Sequence, residues 1–139
     1  MSSPTLTGVH IFVRDMAASM AFYRLLGLEP TGSDDFARLT TVDGGTIEFG
    51  SYTLTRGYDS GFRAPAGAVP ASCMQFRLGS RAAVDATHAR LVAAGYHSAR
   101  PPFDAFWGSR YAEIDDPDGN IVGLQSPPDV QQQSAPPSS

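Results

Sequence analysis

Apolar positions alternate at the start of the chain. In "GVHIFVRD", Val9, Ile11 and Val13 share one side and Gly8, His10 and Phe12 the other. A period of two predicts a strand over about 7–14. The period then lengthens. Apolar residues of "MAASMAFYRLLG" recur near helical spacing, Asp15 stands where an N-cap belongs, and Gly27 fits the left-handed position after the last turn. "LEPTGS" and "DFARLTTV" read as short strands, "DGG" at 43–45 as a hairpin turn and "TIEFGS" as the returning strand. The first half is thus β-α-β-β-β.

The order repeats. "CMQFRL" (73–78) is a strand, and "SRAAVDATHARLVAAG" (80–95) a helix capped by Ser80 and stopped at Gly95. "YHSAR" is a short strand and "WGSRYAEI" a longer one. "DPDGN" is a turn in which proline presets φ and Gly119 supplies the positive φ, and "IVGLQ" closes the unit. Two copies of one unit, each too small to bury its own face, imply a paired α+β architecture. The expected divisions are a first βαβββ module at 1–57, a linker at 58–72, a second module at 73–126 and a Pro/Gln/Ser-rich tail at 127–139. The Gly-, Pro- and Ala-rich stretch from 56 to 72 is either a plain connection or a loop over a site.

Strand parity assigns faces. Val9, Ile11, Val13, Ile47, Phe49, Met74, Phe76, Leu78, Val122 and Leu124 are expected toward the helices. Gly8, His10, Phe12, Thr46, Glu48, Gly50, Cys73, Gln75, Arg77, Ile121, Gly123 and Gln125 are expected on the other faces.

Composition narrows the function classes. Of 139 residues, 42% are hydrophobic, enough for a packed core, and 17% are charged, so binding does not rest on charge alone. A net charge of −4 without a basic run argues against nucleic acid or an anionic membrane as partner. One cysteine excludes an internal disulfide and a cysteine-rich zinc site. No apolar run is long enough to span a bilayer, and the start lacks a basic, cleavable leader, so a cytoplasmic location is expected.

"FVRDMAASMAFYRLLGLEP" followed by "WGSRYAEIDDPDGNIVGLQSP" resembles the vicinal oxygen chelate superfamily, which includes glyoxalase I, extradiol dioxygenases and the bleomycin-resistance proteins. The resemblance spans about 6 to 126. It implies two tandem βαβββ modules forming a cup-shaped mixed sheet with helices outside, usually in a homodimer. Chelating members place a metal ligand on the first and last strand of each module. Those positions here are Gly8, Glu48, Cys73 and Gly123. Glycine has no donor, and one carboxylate with one thiol falls short of a transition-metal site. No metal and no cofactor is therefore expected. A displaced site from His10, Glu48 and Glu113 is the conceivable exception.

The remaining chemistry suits an organic ligand. Glycines in place of ligands suggest a roomy pocket, and Phe103, Phe106, Trp107 and Tyr111 supply rings for stacking, with Phe103 and Phe106 in a probable loop. The candidate ligand-binding set is His10, Phe12, Glu48, Cys73, Gln75, Phe103, Phe106, Trp107, Tyr111, Glu113 and Gly123. Bland readings stand beside it. His10 can be a hydrogen-bonded wall residue, Cys73 a small buried hydrophobe and Trp107 a core ring. Glu48 can orient a ligand or pair with Arg77, and His88 and His97 can be surface residues. The expected function is metal-free sequestration of an aromatic or polycyclic natural product or drug, as in antibiotic resistance, by a homodimer. The alternative is a lyase, isomerase or dioxygenase, through a displaced metal or through His10 with Glu48, or Tyr111 with Glu113, as acid and base.

Overall fold

The structure is a computed structural model that describes residues 3–4, 6–64 and 72–137. The chain divides into two compact units, Met1–Ala68 and Val69–Ser139. The α+β class and the repeated βαβββ order hold in both.

The first unit contains β1 (Val9–Val13), α1 (Met16–Leu26), β2 (Thr31–Gly32), β3 (Phe36–Thr40), β4 (Thr46–Ser51) and α2 (Tyr52–Tyr58). The sheet order is β1-β4-β3-β2. β1 runs parallel to β4, and β3 is antiparallel to both β4 and β2. A parallel pair needs a long crossover, and the chain from α1 through β3 supplies it. Asp15 accepts a hydrogen bond from the Ala18 amide at 3.2 Å and starts α1. Gly27, at φ 114°, ends it. Its N–H donates to the Arg24 carbonyl at 3.0 Å and that of Leu28 to Tyr23 at 3.0 Å, which satisfies the last carbonyls of the helix. The core joins Ile11, Val13, Leu39, Ile47 and Phe49 of the sheet to Met20, Tyr23 and Leu26 of α1. The Tyr23 and Phe49 rings lie 5.0 Å apart. Val9, expected toward the helix, stays exposed at the start of an edge strand.

The second unit contains β5 (Cys73–Arg77), α3 (Arg81–Ala93), β6 (Ser98–Asp104), β7 (Arg110–Asp115), β8 (Ile121–Gln125) and a 3-10 turn at Val130–Gln132. Its sheet order is β5-β8-β7-β6, with β5 and β8 parallel. Val84 and Leu91 of α3 are buried along with Ala112, Ile114, Val122 and Leu124 of the sheet. Arg110 of β7 ties α3 to β6, at 2.9 Å from Asp85 and 3.1 Å from Asp104. Before β8, the Asp116 carboxylate accepts from the Asp118 and Asn120 amides, each at 2.9 Å, and Gly119 takes φ 83°.

Four expectations change. Part of the stretch expected to be linker is ordered differently: α2 reaches Tyr58, begun by Ser51, whose hydroxyl accepts from the Leu54 amide at 3.0 Å. The rest of the proposed linker, 65–71, lies outside the described residues. The strands expected at "YHSAR" and "WGSRYAEI" lie later, at 98–104 and 110–115, so Phe103 is in a strand and not a loop. The tail straps the 105–109 turn. The Asp129 amide donates to the Gly108 carbonyl at 3.0 Å, and that of Ser134 to Phe106 at 2.8 Å. His88 lies on the buried side of α3, not at the surface, with Nε2 2.7 Å from the Ser98 hydroxyl.

Among the described residues no helix is long and apolar enough to cross a membrane.

Two outcomes are expected. Gly108 has φ 97°, and a Cβ there would stand 2.4 Å from the Asp129 carbonyl oxygen. Gly108→Ala should cost about 2 kcal/mol or more in chemical denaturation, the scale of left-handed strain plus a backbone clash. Burial holds the His88 imidazole below its ordinary pKa, with Asp85 opposing weakly. The unfolded chain therefore takes up the proton first. Stability is full above about pH 6.5 and falls as pH drops toward the folded value. Thermal melts between pH 7.5 and 5 should show that loss, and His88→Gln should flatten it.

Candidate functional site

Each sheet has one face packed under its helix and one face turned away. In the first unit, β1 brings His10 opposite Glu48 and Phe12 opposite Gly50, while β3 brings Arg38 opposite Glu48. All lie on the face away from α1, as parity predicts. The Arg38 Nε donates to Glu48 Oε2 at 3.1 Å, and His10 Nδ1 is 3.9 Å from Glu48 Oε1. The Arg38 guanidinium is the main cause that holds the Glu48 carboxyl below its ordinary pKa. The cation that Glu48 meets within its own unit is thus Arg38, which the sequence reading did not single out. The hairpin at 41–45 determines this register, because residues equidistant from its centre face each other. Counting outward from that turn would have found the pair.

These side chains line a cleft of about 460 Å³ together with Gly8 and Thr46. Two glycines shape it. A Cβ on Gly50 would sit 2.6 Å from His10 Nε2, so the imidazole lies across bare backbone. A Cβ on Gly8 would sit 2.7 Å from the Thr46 carbonyl oxygen, so close strand approach, not added volume, explains that glycine.

From His10 a row of rings crosses the same face. His10 and Phe12 centroids are 5.1 Å apart, Phe12 and Phe62 5.2 Å, and Phe62 and Tyr52 5.3 Å. Phe12 is 40% exposed and Phe36 beside it 36%. The Arg56 guanidinium stands 5.8 Å from the Tyr52 and Phe62 centroids. Tyr52 and Phe62 were missed at the sequence level. They reach this face only because α2 folds back over it and carries the following segment along.

In the second unit the comparable face carries Gln75, Tyr111, Glu113 and Gly123. Gln75 and Glu113 both flank Gly123 in register. The Tyr111 hydroxyl donates to Glu113 Oε2 at 2.8 Å and lies 3.9 Å from Cys73 Sγ. Burial, then the Glu113 hydrogen bond, pushes the Tyr111 phenol well above its ordinary pKa. Partial desolvation on the Tyr111 side also pushes up the otherwise exposed Cys73 thiol, with the Tyr111 hydrogen bond opposing and the Glu113 charge adding. Both groups stay protonated at neutral pH, which suits hydrogen bonding better than proton abstraction or nucleophilic attack. Cys73 is not a buried hydrophobe. It lies exposed on edge strand β5.

Phe103, opposite Tyr111, completes a cluster of near-perpendicular rings. Trp107 centres lie 5.2 Å from Phe106, 5.4 Å from Tyr111 and 6.4 Å from Phe103. Tyr111 is only 6% exposed, so much of the cluster already satisfies itself. The room expected at Gly123 itself is taken. A Cβ there would stand 2.8 Å from the Tyr111 hydroxyl and 3.1 Å from Gln75 Cγ, so those side chains fill the space. The candidate residues thus fall into two groups: His10, Phe12 and Glu48 in the first unit, and the other eight in the second.

The family model of the Glyoxalase/Bleomycin resistance protein/Dioxygenase superfamily matches residues 5–124, and the chain belongs to that family. No curated protein matches it. Among solved structures, a glyoxalase/bleomycin resistance protein/dioxygenase family enzyme from Burkholderia phytofirmans PsJN is 22% identical at TM-score 0.75, over 86% of this chain and 96% of that one. A glyoxalase-related enzyme from Fulvimarina pelagi is 20% identical at TM-score 0.74, over 98% and 100%. A lactoylglutathione lyase from Agrobacterium tumefaciens is 22% identical at TM-score 0.65, over 90% and 96%. At these identities the likeness carries the fold alone.

The metal that chelating relatives use does not fit the residues present. Gly8 and Gly123 offer no donor atom, the Glu48 carboxylate is engaged by Arg38, and the Cys73 thiol is held protonated. Among the described residues no three His, Cys, Asp or Glu side chains converge to hold an ion. Of the displaced set, His10 and Glu48 lie 3.9 Å apart in the first unit, while Glu113 belongs to the second and accepts from Tyr111.

Gly123→Glu, which puts a carboxylate at the last of these positions, should meet Tyr111 and cost about 1–3 kcal/mol of stability by overpacking. Denaturant unfolding checks this, and calorimetry with Zn²⁺ should show no gain in affinity.

Proposed function

We propose that this protein binds an aromatic or polycyclic small molecule without a metal and sequesters it, in the manner of an antibiotic-resistance protein. The observation that carries this reading is the row from His10 through Phe12 and Phe62, open to solvent at Phe12 and backed by the buried Tyr52 ring. It lies on the sheet face where chelating relatives would present ligands. Flat rings offer area at little entropic cost, and the cleft beside His10 adds Glu48 and Arg38 as polar orienters. The second unit carries a ring cluster of its own, Phe103, Phe106 and Trp107 beside Tyr111, with the Glu113 carboxylate on the same sheet. The reading includes a homodimer, with exposed Phe12 and Phe36 as apolar area that a second copy or a ligand would cover.

A second reading has its own observation. His10 stands 3.9 Å from a carboxylate that Arg38 keeps ionised, an arrangement able to orient an imidazole for proton transfer. An enzyme built on it would convert its ligand. The Tyr111–Glu113 pair is the weaker acid/base candidate, because its phenol is held neutral.

Calorimetric titration of the metal-free protein with a panel of polycyclic natural products should find a saturable ligand that is recovered chemically unchanged. Phe12→Ala should weaken its binding about tenfold, the scale of losing one stacked ring together with its buried area, and should leave the melting temperature nearly unchanged. Turnover abolished by His10→Ala would favour the enzyme instead.

A further inference from the structure

The ring row is not symmetric end to end. At the His10 end stands Glu48, an acceptor whose negative charge Arg38 partly answers. At the Tyr52 end stands Arg56, one turn along α2 from Tyr52. Its guanidinium lies against both the Tyr52 and Phe62 rings. Among the described residues no carboxylate comes within ion-pair distance of Arg56, whereas Arg38, Arg81 and Arg110 each have one. A guanidinium resting on rings is oriented by them and keeps its edge N–H groups for two oxygens of an oxyanion. A ligand lying along the row would place one end at Glu48 and the other beside these donors.

We propose that the ligand is an aromatic oxyanion, with a carboxylate, sulfonate or phosphate on a ring system. It lies along Phe12 and Phe62 with its anion on Arg56 and hydroxyl or amine donors toward Glu48. This rests on the aromatic-binding reading and adds a charge and a direction to it. It also accounts for how a chain of net charge −4 can hold an acid: local cations at the end of an apolar row, Arg56 with Arg14 also 5.8 Å from the Tyr52 ring, do so without an overall positive surface.

A matched pair of fluorescent probes separates the two ideas. 8-Anilinonaphthalene-1-sulfonate and N-phenyl-1-naphthylamine share their rings and differ by the sulfonate. The folded protein should bind the sulfonate about tenfold more tightly, the scale of one charge-assisted hydrogen-bonded pair. Half-molar salt should reduce that preference, because Arg56 is exposed. Arg56→Gln should bring the two dissociation constants to within about twofold of each other. Equal affinities in the unsubstituted protein, or a sulfonate preference that survives Arg56→Gln, overturn the inference while leaving aromatic binding intact. A preference removed by Arg100→Gln instead, which lies over Phe103 in the second unit, overturns the assignment to Arg56. Binding of neither probe, or of both unaffected by Phe12→Ala, contradicts the aromatic-binding reading itself. Circular dichroism of each variant confirms that the fold is retained.

Discussion

Each unit turns on one parallel strand pair, β1 with β4 and β5 with β8. Parallel pairing forces the intervening chain to cross over, which seats the helix on one face and leaves the other to function. It also sets which residues meet. His10 faces Glu48 and Phe12 faces Gly50 because β1 and β4 are in that register and no other. A slip of one residue would send His10 and Phe12 under α1 and bring Ile11 and Val13 into the open. The glycines belong to the same constraint. Gly50 lets an imidazole lie over backbone, Gly8 lets two strands approach, and Gly123 makes room for a tyrosine hydroxyl.

The glycines at the family's ligand positions therefore have a different meaning from the one composition suggests. Glycine in place of a chelating side chain reads as emptied space. In the structure that space is taken, by the Thr46 carbonyl at one position and by Tyr111 and Gln75 at the other. What remains is a surface for rings rather than a deep chamber. The open area lies along Phe12 and Phe62, while Tyr111 in the second unit is largely enclosed by its own neighbours. A binding reading follows more directly from the first unit than from the second.

Much of the fold was legible because its signals are local. Asp15, Gly27, Ser80 and the "DPDGN" turn each act within a few residues, and α1, β4 and β8 fall where periodicity places them. The misses share a cause in neighbours distant along the chain. Prolines 101 and 102 are poor strand residues, yet β6 is an edge strand, where a missing N–H can be tolerated, and its register shifts there. The Arg38–Glu48 pair needed the hairpin register, and the exposure of Cys73 needed the strand order. Helix α2 was obscured by glycine and threonine, weak helix formers, and is held by the Ser51 cap and by Tyr52 and Thr55 packed beneath it. Tyr52 and Phe62 could join the site only once that helix was known.

The proposed function requires this member of the family to work through rings and not through a metal. Calorimetric titration of the chelator-treated protein with Zn²⁺, Ni²⁺, Mn²⁺ and Fe²⁺, alongside elemental analysis of protein purified without chelator, tests it most directly. The account predicts no stoichiometric metal on purification and no saturable heat from any of the four ions. One tightly bound ion per chain, weakened by His10→Ala, would contradict it and place the protein among the metal-dependent members of its family.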